Sequence, residues 1–326
     1  MDATCVIDYG SHTVKHTCIS KADKNSAFEF NINEAPTQAF AANDSLDIVL
    51  FGRHVAELIS DTCPAGSALT LCLLTDTWLP RRKRELLLKC CFECLGAKRV
   101  SLVDSVSTAL FSSGETTGVC VDVGYGGVRA VPVVNGFPQS FLGEDVRSVG
   151  AKNTDTVLRR HIPQASEPVL LALKSTVCFV GDEPPAVSRQ ISLPDGSTFP
   201  MTLSPSVCRE AGEALLYNAP TASAPNALRH MYQKSLLECP SLDRWVLVGA
   251  ASGMTGVGRV LGEAMTHALT VTQREGPQYI AVKDPAHAAV CGGAILSQLS
   301  TFKKMCVTVE EYVEEGPHYC VRPKII

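Results

Sequence analysis

Val119-Cys-Val-Asp-Val-Gly-Tyr-Gly-Gly-Val-Arg-Ala-Val-Pro-Val-Val134 is the stretch whose reading decides the fold. β-Rich runs flank Gly124, Gly126 and Gly127, which reads as a hairpin, because glycine enters the φ > 0 regions of tight turns without steric cost. Asp122 stands just before the turn, so its carboxylate is expected beside a ring of backbone N–H groups. Such an arrangement holds a phosphate or a hydrated cation. Taken alone, it is also what an ordinary hairpin with a polar turn looks like. The start of the chain tips the balance. Val6-Ile-Asp8-Tyr-Gly10-Ser11-His-Thr-Val-Lys15-His-Thr-Cys-Ile19 repeats the plan of apolar strand, Asp, small turn residues and second strand. Two copies imply two like lobes, each hairpin facing the cleft between them, where ligands commonly sit.

A chain of 326 residues suits two domains or one bilobed unit. With 45% hydrophobic and 19% charged residues, it has the material for a sizeable core. The net charge of −4 gives no reason to expect nucleic acid or an anionic membrane as a partner. No basic segment followed by an apolar one opens the chain, and no apolar stretch reaches membrane-spanning length, so a soluble intracellular protein is expected. Fourteen cysteines lie scattered through strands and helices, as buried free thiols do. The one cluster, Cys90-Cys91-x-x-Cys94, lacks a second ligand pair at zinc-site spacing.

Along the chain, residues 20–70 are broken by Pro36, Gly52 and Pro64. Only 48–59 look regular, as a strand leading into a short helix. Residues 70–75 are a buried strand. Pro80 opens a helix over 81–95, with Leu87, Cys91 and Cys94 at helical spacing and Gly96 as its stop. Arg81-Arg-Lys-Arg84 sets four positive charges against the helix macrodipole, as a solvated face or a surface for an acidic partner. A strand over 99–103 and a helix over 105–111 precede the quoted hairpin. Helices are expected from 145 to 179 and from 205 to 238, with a hairpin turn at 193–197 between them. Trp245 starts a strand that ends in the small-residue loop 249–253 before a helix over 256–267. That is a place for a phosphate or nucleoside at a helix N-terminus, or simply a tight turn. A short strand over 279–282, a helix over 286–299 and an acidic turn over 310–316 complete the reading. The Gly292-Gly293 pair in the last helix permits close approach of another backbone or a ligand.

Taken together, these elements resemble the actin family. The C-terminal stretch from Gly292 to Phe302, then Met305, Glu311-Tyr312, Gly316-Pro317 and Arg322, is similar to the family's last segment almost position by position. Leu73-Leu-Thr75, Arg84-Glu85, Phe92-Glu93, Ser113-Gly114, Thr117-Gly118, Val131-Pro132 and Gly136 match as well. The resemblance implies an α/β fold of the actin-like ATPase-domain type, two lobes with mixed β-sheets flanked by helices around a central cleft. Residues 1–135 and 300–326 would form the first lobe, its small subdomain reduced over about 20–70. Residues 136–299 would form a reduced second lobe. The two hairpins become the two phosphate loops, with Asp8, Gly10, Ser11 and Lys15 in the first and Asp122, Gly124 and Gly126 in the second. By the same resemblance Lys174 is a lysine near the adenine, Gly249 the first glycine of the adenosine loop, and Gly292-Gly293 the connecting motif. ATP or ADP would bring magnesium near Asp8 and Asp122; the chain offers no metal site of its own, and an empty cleft is the other expectation.

The departures limit what carries over. His12 stands where the family has a glycine, and Tyr125 replaces an aspartate that helps hold the hydrated metal. Arg129 replaces the histidine near the attacking water, leaving a group that can pair with a phosphate. Ser105 replaces the glutamine that positions that water, and serine is too short to do so. Ala250 replaces the second adenosine-loop glycine, Ser175 a glutamate near the ribose, and His287 a lysine near the adenine. The segment between Lys15 and Leu73 is much shorter than in actin, and that between Gly136 and Trp245 is reduced. Both losses fall at one end of the family's fold, whereas head-to-tail growth needs both ends. These features lead to the expectation of a non-catalytic scaffold or capping subunit of a larger assembly. A dynactin-like pointed-end cap, a chromatin-remodelling subunit and a ciliary or axonemal component are the versions considered. Its partners would be other proteins, actin or another actin-related protein among them, in the cytoplasm, the cytoskeleton or the nucleus. An ATP-binding switch or ATPase of the wider actin, chaperone and sugar-kinase superfamily is the alternative, favoured by Asp8, Lys15 and Asp122. A filament-forming actin is the remaining one.

Overall fold

The computed structural model describes residues 2–20, 32–37, 47–64, 66–185, 190–193, 196–200, 203–218, 222–239, 241–269 and 276–321. The chain divides into two compact units, Met1–Thr116 with Asn135–Pro138 and His287–Ile326, and Thr117–Val134 with Gln139–Ala286.

The first unit is built on the strands β1 (Asp2–Tyr9), β2 (Thr13–Ser20), β3 (Asn33–Pro36), β4 (Ala68–Thr75) and β5 (Arg99–Asp104). The sheet order is Val307–Thr308, β5, β4, β1, β2, β3. β1 and β2 are the expected hairpin, β4 lies parallel to both β1 and β5, and Val307–Thr308 closes the edge antiparallel to β5. The apolar run Leu71-Cys-Leu-Leu74 is buried on both faces, as a parallel strand covered on both sides must be. Alternation along the strands then sorts the packing. Cys5, Ile7, Leu71 and Leu73 meet Phe51, Val55, Leu87 and Leu88 on one side. Val6, Cys72 and Leu74 meet Val290, Ala294 and Phe302 on the other.

Three elements of this unit differ in conformation from the sequence reading. Residues 48–59 are helical throughout, as α1 (Ile48–Thr62), because the Asp47 carboxylate accepts from the amides of Val49 at 2.9 Å and Leu50 at 3.1 Å and starts the helix there. The helix α2 (Arg81–Lys89) does continue towards Leu95, but through a π-helical turn, Cys90–Cys94. The turn buries Cys90 and Cys91 and leaves Cys94 exposed, and among the described residues no group of three or more His, Cys, Asp or Glu is placed to hold a metal ion. The acidic segment at 310–316 is the start of the helix Val309–Cys320, not a turn. Thr308 and Glu311 form a reciprocal capping box at its N-terminus, with the Glu311 carboxylate accepting from the Thr308 amide at 2.9 Å. Gly316, at φ 74°, kinks it before Pro317.

The basic run at the head of α2 is only partly a solvated face. Arg84 donates inward to the carbonyls of Leu79 and Asp76, both at 3.1 Å, and burial lowers its pKa. Arg81 donates to the carbonyl of His318 at 2.7 Å and pairs with Glu85 at 3.1 Å. Phe92 stacks on Tyr312 with centroids 4.6 Å apart, and the Tyr312 hydroxyl donates to Glu93 at 2.7 Å. Phe92-Glu93 and Glu311-Tyr312, separated by more than half the chain, therefore hold each other. Arg322 lies outside the described residues.

The helix Ala288–Gln298 belongs to this first unit, whereas the sequence reading put it with the second lobe. It packs on α3 (Ser105–Phe111) so closely that a Cβ at Gly292 would overlap the Thr108 carbonyl oxygen. Gly293 meets Val6 and Leu74 in the same way.

The second unit centres on the hairpin of β6 (Gly118–Val123) and β7 (Val128–Val134), paired from Gly118↔Val133 to Val123↔Val128. Arg244–Val248 lies parallel to β6, Gln278–Tyr279 parallel beside it, and Glu144–Val146 antiparallel to β7. The strand expected over 279–282 is thus shorter and starts one residue earlier. Helices Ala151–His161, Glu167–Thr176, Pro205–Glu213, Ala224–Glu238 and Val257–His267 supply the rest of a core that gathers Val119, Val121, Leu158, Leu170, Met231, Trp245 and Leu261. Gln190–Ser192 and Thr198–Pro200 pair as a hairpin, whose turn residues Pro194 and Asp195 lie outside the described residues.

The close approach of two helices in the first unit gives a direct expectation. Gly292→Val should destabilise the chain by about 3 kcal/mol or more, since the Thr108 carbonyl is backbone and cannot step aside as a flexible side chain would. A denaturation midpoint that matches the unsubstituted chain would refute this packing.

Candidate functional site

Both hairpins close in the same way. The Gly10 amide donates to the Thr13 carbonyl at 3.1 Å, and the Gly124 amide to the Gly127 carbonyl at 3.0 Å. Each is therefore a two-residue loop, Ser11-His12 in one and Tyr125-Gly126 in the other. The glycines serve a purpose other than the one read from sequence. Gly124 and Gly127 do not adopt positive φ. Gly127 is needed for space, since a Cβ there would lie 2.9 Å from the Val146 carbonyl oxygen.

Each hairpin also sets its aspartate directly opposite a cation across the ladder, Asp8 opposite Lys15 and Asp122 opposite Arg129. Directly opposed residues share a face of the sheet and lie within reach of each other. In the second hairpin the Arg129 guanidinium donates to the Asp122 carboxylate. Their side chains are only 21% and 17% exposed, so water screens the pair little. In the first hairpin Lys15 is buried, Ser11 is exposed and His12 is half-buried. Thr37 ties this loop down, its hydroxyl donating to the Gly10 carbonyl at 2.7 Å and its amide to the His12 carbonyl at 2.9 Å.

Two flanking segments of the second unit clamp the Tyr125-Gly126 loop. The first two amides of the helix Ala151–His161 donate to the carbonyls of Gly124 and Tyr125, each at 3.1 Å. Gly150 precedes them at φ 117°, where a Cβ would lie 2.7 Å from the Tyr125 carbonyl oxygen. From the other side Gly249, at φ 94°, rests on Asp122, with a Cβ there 2.5 Å from Oδ1. Both positions need glycine twice over, for the left-handed backbone and for the space. Ala250 follows Gly249 on the surface.

Tyr125 turns its ring towards a buried ion pair. Lys174 Nζ lies 2.7 Å from Asp155 Oδ1, the two side chains 12% and 6% exposed. Nζ also stands 5.9 Å from the centre of the Tyr125 ring, within cation–π range. Burial, and then the Asp155 charge, raise the Tyr125 phenol above its ordinary pKa. Lys174, expected near an adenine, is thus engaged inside the unit. Ser175 beside it is exposed, and its hydroxyl donates to the Ala172 carbonyl at 3.1 Å.

The remaining positions lie in the first unit. Ser105, 6% exposed, is the first residue of α3, which Asp104 caps by accepting from Val106 at 3.0 Å. His287 Nε2 faces Glu34 at 3.8 Å. Gly292 and Gly293 make the helix contact already described. Gly150, Asp155 and Glu34 were missed in the sequence. Asp155 had a legible signal, a carboxylate on the buried face that Ala151, Thr154 and Leu158 share.

A family model described as Actin matches residues 64–150 and 143–324. The chain belongs to the actin family. The match begins at residue 64, so the second hairpin, Lys174, Gly249 and Gly292-Gly293 fall inside it and the first hairpin outside. The family's fold is one that binds nucleotide with magnesium. In this actin-family chain the second hairpin does not fit a hydrated magnesium ion, because the Asp122 carboxylate already has its counter-charge in Arg129 and no second carboxylate stands at position 125.

Asp155→Ala leaves the Lys174 ammonium buried without its carboxylate. It should cost about 3 kcal/mol, measured as a fall in the denaturation midpoint. An unchanged midpoint would show that Lys174 finds another arrangement at no cost.

Proposed function

We propose that this actin-family chain is a non-hydrolysing scaffold or capping subunit of a larger protein assembly. The observation that carries the reading is the Arg129–Asp122 ion pair of the second hairpin. A carboxylate that offsets a hydrated cation in a nucleotide-hydrolysing loop is here held by a guanidinium on the facing strand. Three substitutions point the same way: Tyr125 in place of an aspartate, Arg129 in place of the histidine near the attacking water, and Ser105 in place of the glutamine that positions it. Water positioning and charge stabilisation are most of what a protein contributes to phosphoryl transfer, and this chain has given up side chains of both kinds. The shortened segment between Lys15 and Leu73 fits a subunit that joins an assembly through one surface and does not extend a filament. Other proteins, actin or another actin-related protein among them, are the partners this reading expects.

The second reading is a switch that binds nucleotide without turning it over. Asp8, Gly10, Ser11 and Lys15 keep the first loop's pattern, and Gly249 keeps its place against Asp122.

The purified chain, incubated with ATP and magnesium, should release no phosphate above a protein-free blank. At high concentration it should stay in the supernatant on sedimentation. Magnesium-dependent turnover that Asp122→Ala abolishes would overturn the proposal. Saturable nucleotide binding without turnover would select the switch.

A further inference from the structure

Away from both hairpin turns, the first unit gathers three sulfur atoms and a buried imidazole. Cys5 on β1 and Cys18 on β2 are directly opposed in the antiparallel register. Cys63, the residue that ends α1, brings its Sγ to 2.7 Å from Cys18 Sγ. That is within about 0.7 Å of the ~2.05 Å of a covalent S–S bond. Cys5 is fully buried behind the pair, whereas Cys18 and Cys63 are both half-buried and so open to a small reagent. His16 lies two residues before Cys18 on the same strand and is 3% exposed. Neither of its ring nitrogens has a hydrogen-bond partner, and it is close enough to feel the charge of Cys63.

We propose that Cys18 and Cys63 form a reversible redox pair that a hydroperoxide oxidises to a disulfide. The roles differ because the environments differ. Hydrogen bonds from Cys18, and then from Cys5, hold the Cys63 thiol far below its usual pKa, while the same bond to Cys63 and burial push Cys5 well above it. Cys63 is therefore the attacking thiolate and Cys18 the resolving thiol. In the first step the Cys63 sulfur attacks the hydroperoxide. An S–O bond forms, the O–O bond breaks, and the leaving oxygen departs as hydroxide or alkoxide. In the second step Cys18 sulfur attacks the sulfenic sulfur, forming the S–S bond and breaking S–O. The departing hydroxide takes the Cys18 proton as water. Two electrons pass from the pair to the peroxide, and a dithiol reverses the change. The disulfide would tie the end of α1 to β2 across 45 residues of chain. Cross-linking a loop of that length restricts the unfolded state, and the oxidised chain should melt higher by roughly 5 °C.

The test uses the full chain, reduced and freed of reductant, with one equivalent of hydrogen peroxide. Intact mass should fall by two hydrogens, and a non-reducing peptide map should give a single cross-link, between Cys18 and Cys63. Dithiothreitol should restore the starting mass. Cys94, the exposed thiol, should stay reduced while the pair oxidises. In Cys18→Ser the sulfenic acid on Cys63 should persist long enough for dimedone to trap it, and in Cys63→Ser neither product should form. A cross-link joining any other two cysteines, faster oxidation of Cys94, or a chain left unchanged by excess peroxide would overturn the proposal. The peptide map of the unsubstituted chain decides this even if a variant fails to fold. None of these outcomes depends on whether the chain turns over ATP.

Discussion

The second unit depends on a polar turn that has to be sheltered. The carbonyls of Val123, Gly124 and Tyr125 follow one another where β6 ends. They are satisfied from outside the hairpin, by amides of Ala251, Ala151 and Lys152. An unpaired carbonyl in such a place would cost the whole desolvation of the group. Meeting that demand draws a helix N-terminus and the loop after Arg244–Val248 onto the turn. Only glycine at 150 and 249 lets both arrive. Once they have, positions 122, 125 and 129 are aimed by backbone alone, whatever side chains they carry.

That separation of frame from side chain explains how a family fold persists while its reactive groups change. In this chain the ionic groups of the second hairpin are satisfied internally. Arg129 answers Asp122 across the ladder, and Asp155 answers Lys174 beneath Tyr125. The residues that most resemble actin serve the frame in the same spirit. Phe92 and Glu93 hold Tyr312, Glu311 caps its own helix, and Gly292 lets two helices touch. A signature made of packing residues identifies a fold and is silent about turnover.

The two hairpins were legible because period-2 apolar runs broken by glycine have few other readings, and both closed where the residues placed them. The helices read over 105–111 and 256–267 were legible for the same reason, with strand, small turn and apolar period in sequence. What escaped the reading was chemistry carried by partners far away in the chain. Asp47 and Thr308 start helices through side-chain hydrogen bonds, and a local pattern of broken or acidic residues hid them. The duty of Gly127 depends on Val146, and that of Lys174 on Asp155. Arg129 looked free to meet a phosphate, because nothing in a linear reading states which residue lies opposite it on the neighbouring strand.

The interleaving of the units sets the order in which they can be made. In sequence, the second unit is nearly one continuous stretch, from Thr117 to Ala286, inserted between segments of the first. The first needs Ala288–Gln298 over its sheet and Val307–Thr308 along β5 before its core is closed. A ribosome therefore delivers the inner unit complete while the outer one still shows Val6, Cys72 and Leu74 to water and an open β5 edge. At roughly 5–20 residues per second, that exposure lasts for seconds or more, long enough to matter for a bare apolar face and an unpaired strand. The core of the first unit therefore stays open until the chain's last helices arrive.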